Sequence, residues 1–132
     1  MAGQSVDETV QRPMGRGVDE RAPSAQLRLV FPEALRATVR LGERELVLGR
    51  RPGERGHKID DPTVSRRHFA VRWEAEQGRH IGADLGSRNG SRIEGRDAAE
   101  GDATPLSDGD VVRVGDVLMV YESSPAVDAN DS

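Results

Sequence analysis

The chain contains no cysteine. Disulfides and thiolate metal sites are therefore excluded, and a reducing cytoplasm is compatible with the composition. Aromatic residues are scarce: two Phe, one Trp and one Tyr. Four rings are too few for a surface that stacks single-stranded bases. No run approaches about 18 apolar residues, and no basic-then-apolar segment opens the chain, so neither a membrane span nor a secretory signal is expected. An excess of basic charge is also missing. Nineteen Lys and Arg stand against 23 Asp and Glu, a formal net charge of −4, which argues against sequence-independent nucleic-acid binding. The three histidines, His57, His68 and His80, do not have metal-ligand spacing. There is no GxSxG nucleophile elbow and no Gly-Lys-Ser/Thr of a phosphate-binding P-loop.

The 132 residues suffice for one ordinary domain. Hydrophobic residues make up 35% and charged residues 32%, polar enough that part of the length is expected to stay unfolded. Residues 1–24 mix charge, Gly and Pro with few large apolar groups and read as a disordered tail. Residues 123–132 read as a second tail or the start of a linker, which leaves 25–122 as the domain.

In that middle stretch the apolar period is two. "QLRLVF" sets Leu27, Leu29 and Phe31 on one face, "ATVRLG" sets Val39 and Leu41, and "ERELVLGR" sets Leu46 and Leu48 against Val47. "HFAVRW" offers Phe69, Val71 and Trp73, with Trp73 expected in the core, and "DVVRVGD" and "VLMVYE" supply two further runs. Each run is short and bounded by Gly, Pro, Asp or Asn. No window carries a helical stripe, and "FPEALRATV" reads as a short turn. The pattern predicts an all-β sandwich or barrel with binding loops gathered at one end.

Two polar stretches fall in such loops. "TVSRRHFAV" spans 63–71 and "DLGSRNGS" spans 84–91. Arg50 and Arg88 offer planar forks of donors suited to an oxyanion, and Ser65 adds a compact hydroxyl. In an extended segment Arg66 and Arg67 point to opposite faces. Asn89 carries both a donor and an acceptor for a peptide backbone, while Gly86 and Gly90 permit tight turns with positive φ. From Arg50 to Arg67 there are six basic and three acidic residues, so this region is locally cationic within an acidic chain. Donors of this kind suit a phosphorylated side chain, which carries about −1.5 to −2 charges. Taken singly the same residues are ordinary. Arg50 reads as a solvated strand end, Ser65 as a turn residue, Asn89-Gly90 as a favoured turn pair and His68 as a structural histidine.

Their joint order resembles a family. "LGRR" at 48–51, "VSRRHFAV" at 64–71, "DLGSRNGS" at 84–91 and the later "LSDGDVVRVGD" resemble the forkhead-associated (FHA) domain, over residues 27–122 or so. The resemblance implies a sandwich of eleven short strands that binds phosphothreonine peptides and is not an enzyme. By position, Arg50 and Ser65 would contact the phosphate, Arg66 would line the phosphopeptide surface, and Asn89 would hold the peptide main chain. His68 would brace the loops, and Gly49, Gly86 and Gly90 would shape them. Arg88 replaces the threonine commonest in the family and would reach the phosphate or an acidic peptide residue. Glu94 stands where "NG" often follows, so that turn should differ. The implied partner is a phosphothreonine-containing protein, with a Ser/Thr kinase upstream and no cofactor, metal, nucleic acid or membrane involved. Some members carry a phosphorylatable N-terminal threonine, and Thr9 in "DETVQRP" stands in such a place. The motifs look bacterial, where such modules are fused to larger regulators, including transcription activators. A phosphate-independent protein scaffold on the same sandwich is the competing function.

Overall fold

The computed structural model describes residues 24–101 and 103–124. Most of both expected tails, Thr9 included, lies outside the described residues. Among the described residues eleven strands follow one another: β1 Ala25–Phe31, β2 Ala37–Leu41, β3 Leu46–Gly49, β4 His57–Lys58, β5 Phe69–Glu74, β6 Arg79–Asp84, β7 Ser91–Ile93, β8 Arg96–Ala98, β9 Thr104–Pro105, β10 Val111–Val114 and β11 Val117–Ser123. A 3₁₀ turn, Glu33–Leu35, follows Pro32 and replaces any longer helix in "FPEALRATV".

The strands form two sheets. One has five strands in the order β9-β6-β5-β3-β4, and the other has six in the order β2-β1-β11-β10-β7-β8. The strand pairs are antiparallel except β3 with β4. Alternation explains which faces meet. Leu27, Leu29, Val112, Val114, Val117, Met119 and Tyr121 turn inward from the larger sheet, and Leu48, Phe69 and Val71 from the smaller. The connections are local and tight. Val114 pairs with Val117 across the two residues Gly115 and Asp116. Ile93 pairs with Arg96 across Glu94 and Gly95, both at positive φ, the backbone a type I′ hairpin requires. Glu94 is unusual there at φ +52°, and its carboxylate accepts the Val111 amide at 2.6 Å.

Two side chains depart from the alternation. Phe31 should share the inward face of Leu27 and Leu29, yet it is 55% exposed. The ladder between β1 and β11 shifts register at Leu118/Met119, so that Leu29 faces Met119 but Phe31 faces Leu118. The extra residue turns Phe31 outward, as a bulge does. Trp73 is only half-buried rather than in the core. It lies near the C-terminal end of β5, opposite His80 in the ladder, and packs edge-on to it with ring centroids 5.0 Å apart. His80 is itself buried between the sheets. It meets the Tyr121 hydroxyl at 2.8 Å and the Gly42 carbonyl at 3.0 Å, and burial pushes its pKa down.

Candidate functional site

The end of β3 is fixed to a distant part of the chain by its backbone. The Arg50 amide donates to the Ser65 carbonyl and the Arg51 amide to the Arg66 carbonyl, each at 3.0 Å. That approach requires glycine at 49. A Cβ there would stand 2.0 Å from the Arg66 oxygen and 2.9 Å from the Ser65 oxygen. The Arg50 side chain then closes over the same segment, its Nε donating to Val64 O at 2.6 Å. Its two terminal nitrogens hold no partner among the described residues.

Segment 64–68 is organised around the buried His68. The Ser65 amide donates to His68 Nδ1 at 3.0 Å, and Nε2 lies 2.8 Å from the Gly90 carbonyl. Because Nδ1 receives an N–H, the proton sits on Nε2, which donates to Gly90. One imidazole thus ties the 64–68 segment to the 85–90 loop. The Ser65 hydroxyl accepts the Arg88 amide at 3.0 Å, a second tie between the same two segments. This arrangement does not make Ser65, His68 and Asp84 a hydrolase triad. The imidazole receives the serine amide, and the hydroxyl is held by Arg88.

Asp84 anchors the other side of that loop. Its carboxylate accepts the Gly86 and Ser87 amides at 2.9 Å each and the Ser87 and Ser91 hydroxyls at 2.6 Å each. Burial pushes its pKa up, but these hydrogen bonds together outweigh burial and hold it below the usual range. A carboxylate that satisfies four donors stays ionised and keeps the loop in one shape. Gly86 and Gly90, each at φ +80°, make the turns on either side of Ser87–Asn89.

Asn89 Nδ2 donates to the Thr63 carbonyl at 2.8 Å. One amide hydrogen is therefore committed internally, which fixes the orientation of the group and leaves Oδ1 for another donor. The Thr63 hydroxyl in turn accepts the Asp116 amide at 2.8 Å, and Gly115 donates to the Gly90 carbonyl at 3.2 Å. The β10–β11 turn is thus joined to the same rim. Thr63 and Asp84 carry much of this framework, yet sequence reasoning gave neither that role. The signal for Thr63 was the "DDPT" stretch, in which Asp61 Oδ1 accepts the Thr63 amide and hydroxyl.

Arg50, Arg66, Arg88 and Asn89 are all exposed on this rim, and Ser65 is half-buried. Three stretches far apart in sequence are held within hydrogen-bonding distance of one another, and the side chains of Arg66 and Arg88 have no partners among the described residues. Arg67 is occupied: it donates to the Pro52 carbonyl at 3.2 Å. No group of three or more His, Cys, Asp or Glu that could hold a metal occurs among the described residues. None of their helices is long and apolar enough to cross a membrane.

The FHA domain model matches residues 46–115, more than half of the chain. The chain belongs to the FHA domain family. Solved FHA domains share its fold. One, from a study of phosphothreonine-dependent FHA domain interactions, is 29% identical with a TM-score of 0.65, covering 77% of this chain and 98% of its own. The FhaA FHA domain complexed with the intracellular domain of Rv3910 is also 29% identical, with a TM-score of 0.63 and coverage of 75% and 100%. The FHA domain of CT664 protein from Chlamydia trachomatis, 24% identical, has a TM-score of 0.66 over 76% of this chain and 98% of its own. No curated relative matches the chain. FHA domains are interaction modules, and the sandwich with its rim of loops is the family architecture.

Proposed function

We propose that this FHA domain captures phosphothreonine peptides on the rim formed by Arg50, Ser65, Arg66, Arg88 and Asn89. The observation that carries the reading is the double tie through Ser65. Its carbonyl takes the Arg50 amide and its hydroxyl takes the Arg88 amide, each at 3.0 Å, so both arginines are positioned before any ligand arrives. The terminal nitrogens of Arg50 and the Ser65 hydroxyl bind the phosphate. Arg88 adds a third contact to the phosphate or to an acidic neighbour, and Asn89 Oδ1 accepts a peptide N–H. The 29% identical FHA domain from work on phosphothreonine-dependent interactions supports the same chemistry.

The module acts as a non-catalytic reader in the cytoplasm, downstream of a Ser/Thr kinase. By analogy with its family it serves bacterial signalling as the sensor part of a transcriptional regulator, an analogy of fold and not of site. The chain's own Thr9, following Asp7 and Glu8, is one ligand to test. Binding is measured by titrating three probes: a phosphothreonine peptide library, the phosphorylated segment 5–14 of this chain, and the same segment unphosphorylated. A charged hydrogen bond contributes about 1.5–3 kcal/mol, so Arg50→Ala, which removes two, should cost at least about a hundredfold in Kd. Wild-type affinity in that variant refutes the site. Equal binding of phosphorylated and plain 5–14 peptides removes Thr9 from consideration.

A further inference from the structure

The outer face of the six-stranded sheet carries an apolar centre that the rim does not use. The register shift that turns Phe31 outward sets it opposite Leu118. Two residues along β11, Val120 sits on the same face opposite Val111. Phe31 is 55% and Val111 42% exposed, the exposed large hydrophobic residues among those described. The strands involved, β1, β11 and β10, are adjacent in the middle of the sheet, so the four side chains make one patch and not scattered exposures.

On the side toward the rim the surrounding charges are already matched. Arg28 pairs with Glu122 at 2.8 Å, Arg92 with Asp97 at 3.1 Å and Arg113 with Asp116 at 3.1 Å. The cations between the patch and the rim, Arg92 and Arg113, are thus neutralised, whereas Arg36 and Arg40 on the β2 side hold no ion pair among the described residues. Along the path from the rim the surface therefore has little to offer an acidic or basic segment and most to offer an uncharged, apolar one. The patch also continues from the rim. Leu118 is the second residue after the Gly115–Asp116 turn, whose amides bond Gly90 and Thr63. A cavity of about 410 Å³ lined by Asn89, Thr63, Arg92, Arg113 and Asp116 opens beside the rim, and Arg113 on its wall stands opposite Leu118.

We propose that the Phe31–Leu118 patch holds an apolar side chain of the same partner chain that carries the phosphothreonine. The inference rests on the phosphothreonine reading and adds a second anchor to it. Its place follows from sheet geometry. Arg92, Arg113, Leu118 and Phe31 lie on successive strands in register. Three strand spacings make about 14 Å, and an extended peptide covers this in about four residues. Adding the step from Asn89 to β7 puts the anchor about four to seven residues from the phosphothreonine.

The test is a leucine walk. Synthetic phosphothreonine peptides of 21 residues, with a Gly/Ser background and one leucine moved along both flanks, are titrated by fluorescence anisotropy onto wild-type protein, Phe31→Ser and Phe31→Leu. Expected is a gain of about five- to tenfold in affinity with leucine in that window on one flank. The gain should vanish in Phe31→Ser and return in Phe31→Leu. Phe31 is solvent-facing, so both variants should fold, which urea titration verifies. A leucine profile that is flat, or is the same in Phe31→Ser, overturns the second anchor while leaving the phosphothreonine reading standing. Failure of every phosphopeptide to bind overturns both. Sedimentation equilibrium that shows wild-type self-association lost in Phe31→Ser would mean that a second copy covers the patch, and would overturn the inference too.

Discussion

Replacing Gly49 by alanine tests whether the rim is a rigid extension of the sheet. The added methyl would stand 2.0 Å from the Arg66 carbonyl oxygen and 2.9 Å from that of Ser65. Both are backbone atoms and cannot swing aside as a side-chain end would. To restore a normal contact, segment 65–66 must retreat from β3 by about 1 Å or more. The retreat stretches the Arg50–Ser65 and Arg51–Arg66 bonds, now 3.0 Å each. Two backbone hydrogen bonds are worth about 1–3 kcal/mol together, and overpacking adds about 1–3 kcal/mol. The expected loss is therefore about 2–6 kcal/mol, a large fraction of a small domain's stability. Urea denaturation of Gly49→Ala against wild type measures it. Gly42→Ala is the control: nothing lies within 4 Å of its Cβ position, so it should stay within about 0.5 kcal/mol. Phosphopeptide affinity of the folded Gly49→Ala protein should fall as well, because Ser65 moves away from Arg50. A Gly49→Ala protein within about 0.5 kcal/mol of wild type, with unchanged affinity, would refute the close approach and the argument for a preset rim.

Asp84→Asn should cost about 3 kcal/mol, because an amide cannot accept from all four donors that the carboxylate now satisfies; chemical denaturation reads the loss, and slowed amide exchange surviving at Gly86 and Ser87 would contradict it. His80 makes stability depend on pH. Its folded pKa is lowered by burial, so between that value and the unfolded value of about 6.5 the unfolded chain binds the proton and the folded one does not. Stability is full above about pH 6.5 and declines as pH falls below it, by at most about 1.4 kcal/mol per pH unit from this group. Urea midpoints from pH 7.5 to 5 should show the decline, and His80→Gln should reduce it, leaving the part that comes from His57, whose pKa burial also lowers; an unchanged slope in the variant would show that His80 is not a source of it.

The fold was legible wherever local pattern and tertiary demand agree. Leu27 and Leu29, Val112 and Val114, and Leu48, Phe69 and Val71 alternate in sequence and turn inward in the sandwich. Phe31 continues the alternation in sequence but not in space, because a register shift depends on the partner strand and leaves no mark in the hexapeptide around it. Trp73 also continues an alternating run yet is only half-buried, packed edge-on to the buried His80. At the site, glycines and arginines announced themselves by type, since few other residues tolerate φ +80° or offer a planar fork. Thr63 and Asp84 did not. Their importance lies in which backbone amides they reach, and those amides belong to segments brought close only by the fold.

The arrangement of buried and exposed groups explains how one rim can be both firm and available. The groups that fix the loops, His68 and Asp84, are buried and use their polar atoms internally. Arg50, Arg66 and Arg88 keep donors in solvent. Exchanging these roles would fail in either direction. An exposed anchor would compete with water and let the loops wander, and a buried arginine without its anion would carry a desolvation cost in the unbound state. With the framework already ordered, a ligand need only order itself and the ends of a few side chains. That lowers the entropic cost of binding and lets a small number of charged contacts suffice for recognition. The same reasoning gives Ser65 a double role. Its hydroxyl accepts from Arg88 and still has its own proton to donate, so it can hold the loop and offer a hydrogen bond outward at once. Alanine at 65 loses both. Cysteine keeps only a weaker donor on a larger atom, so neither substitution would reproduce serine at that position.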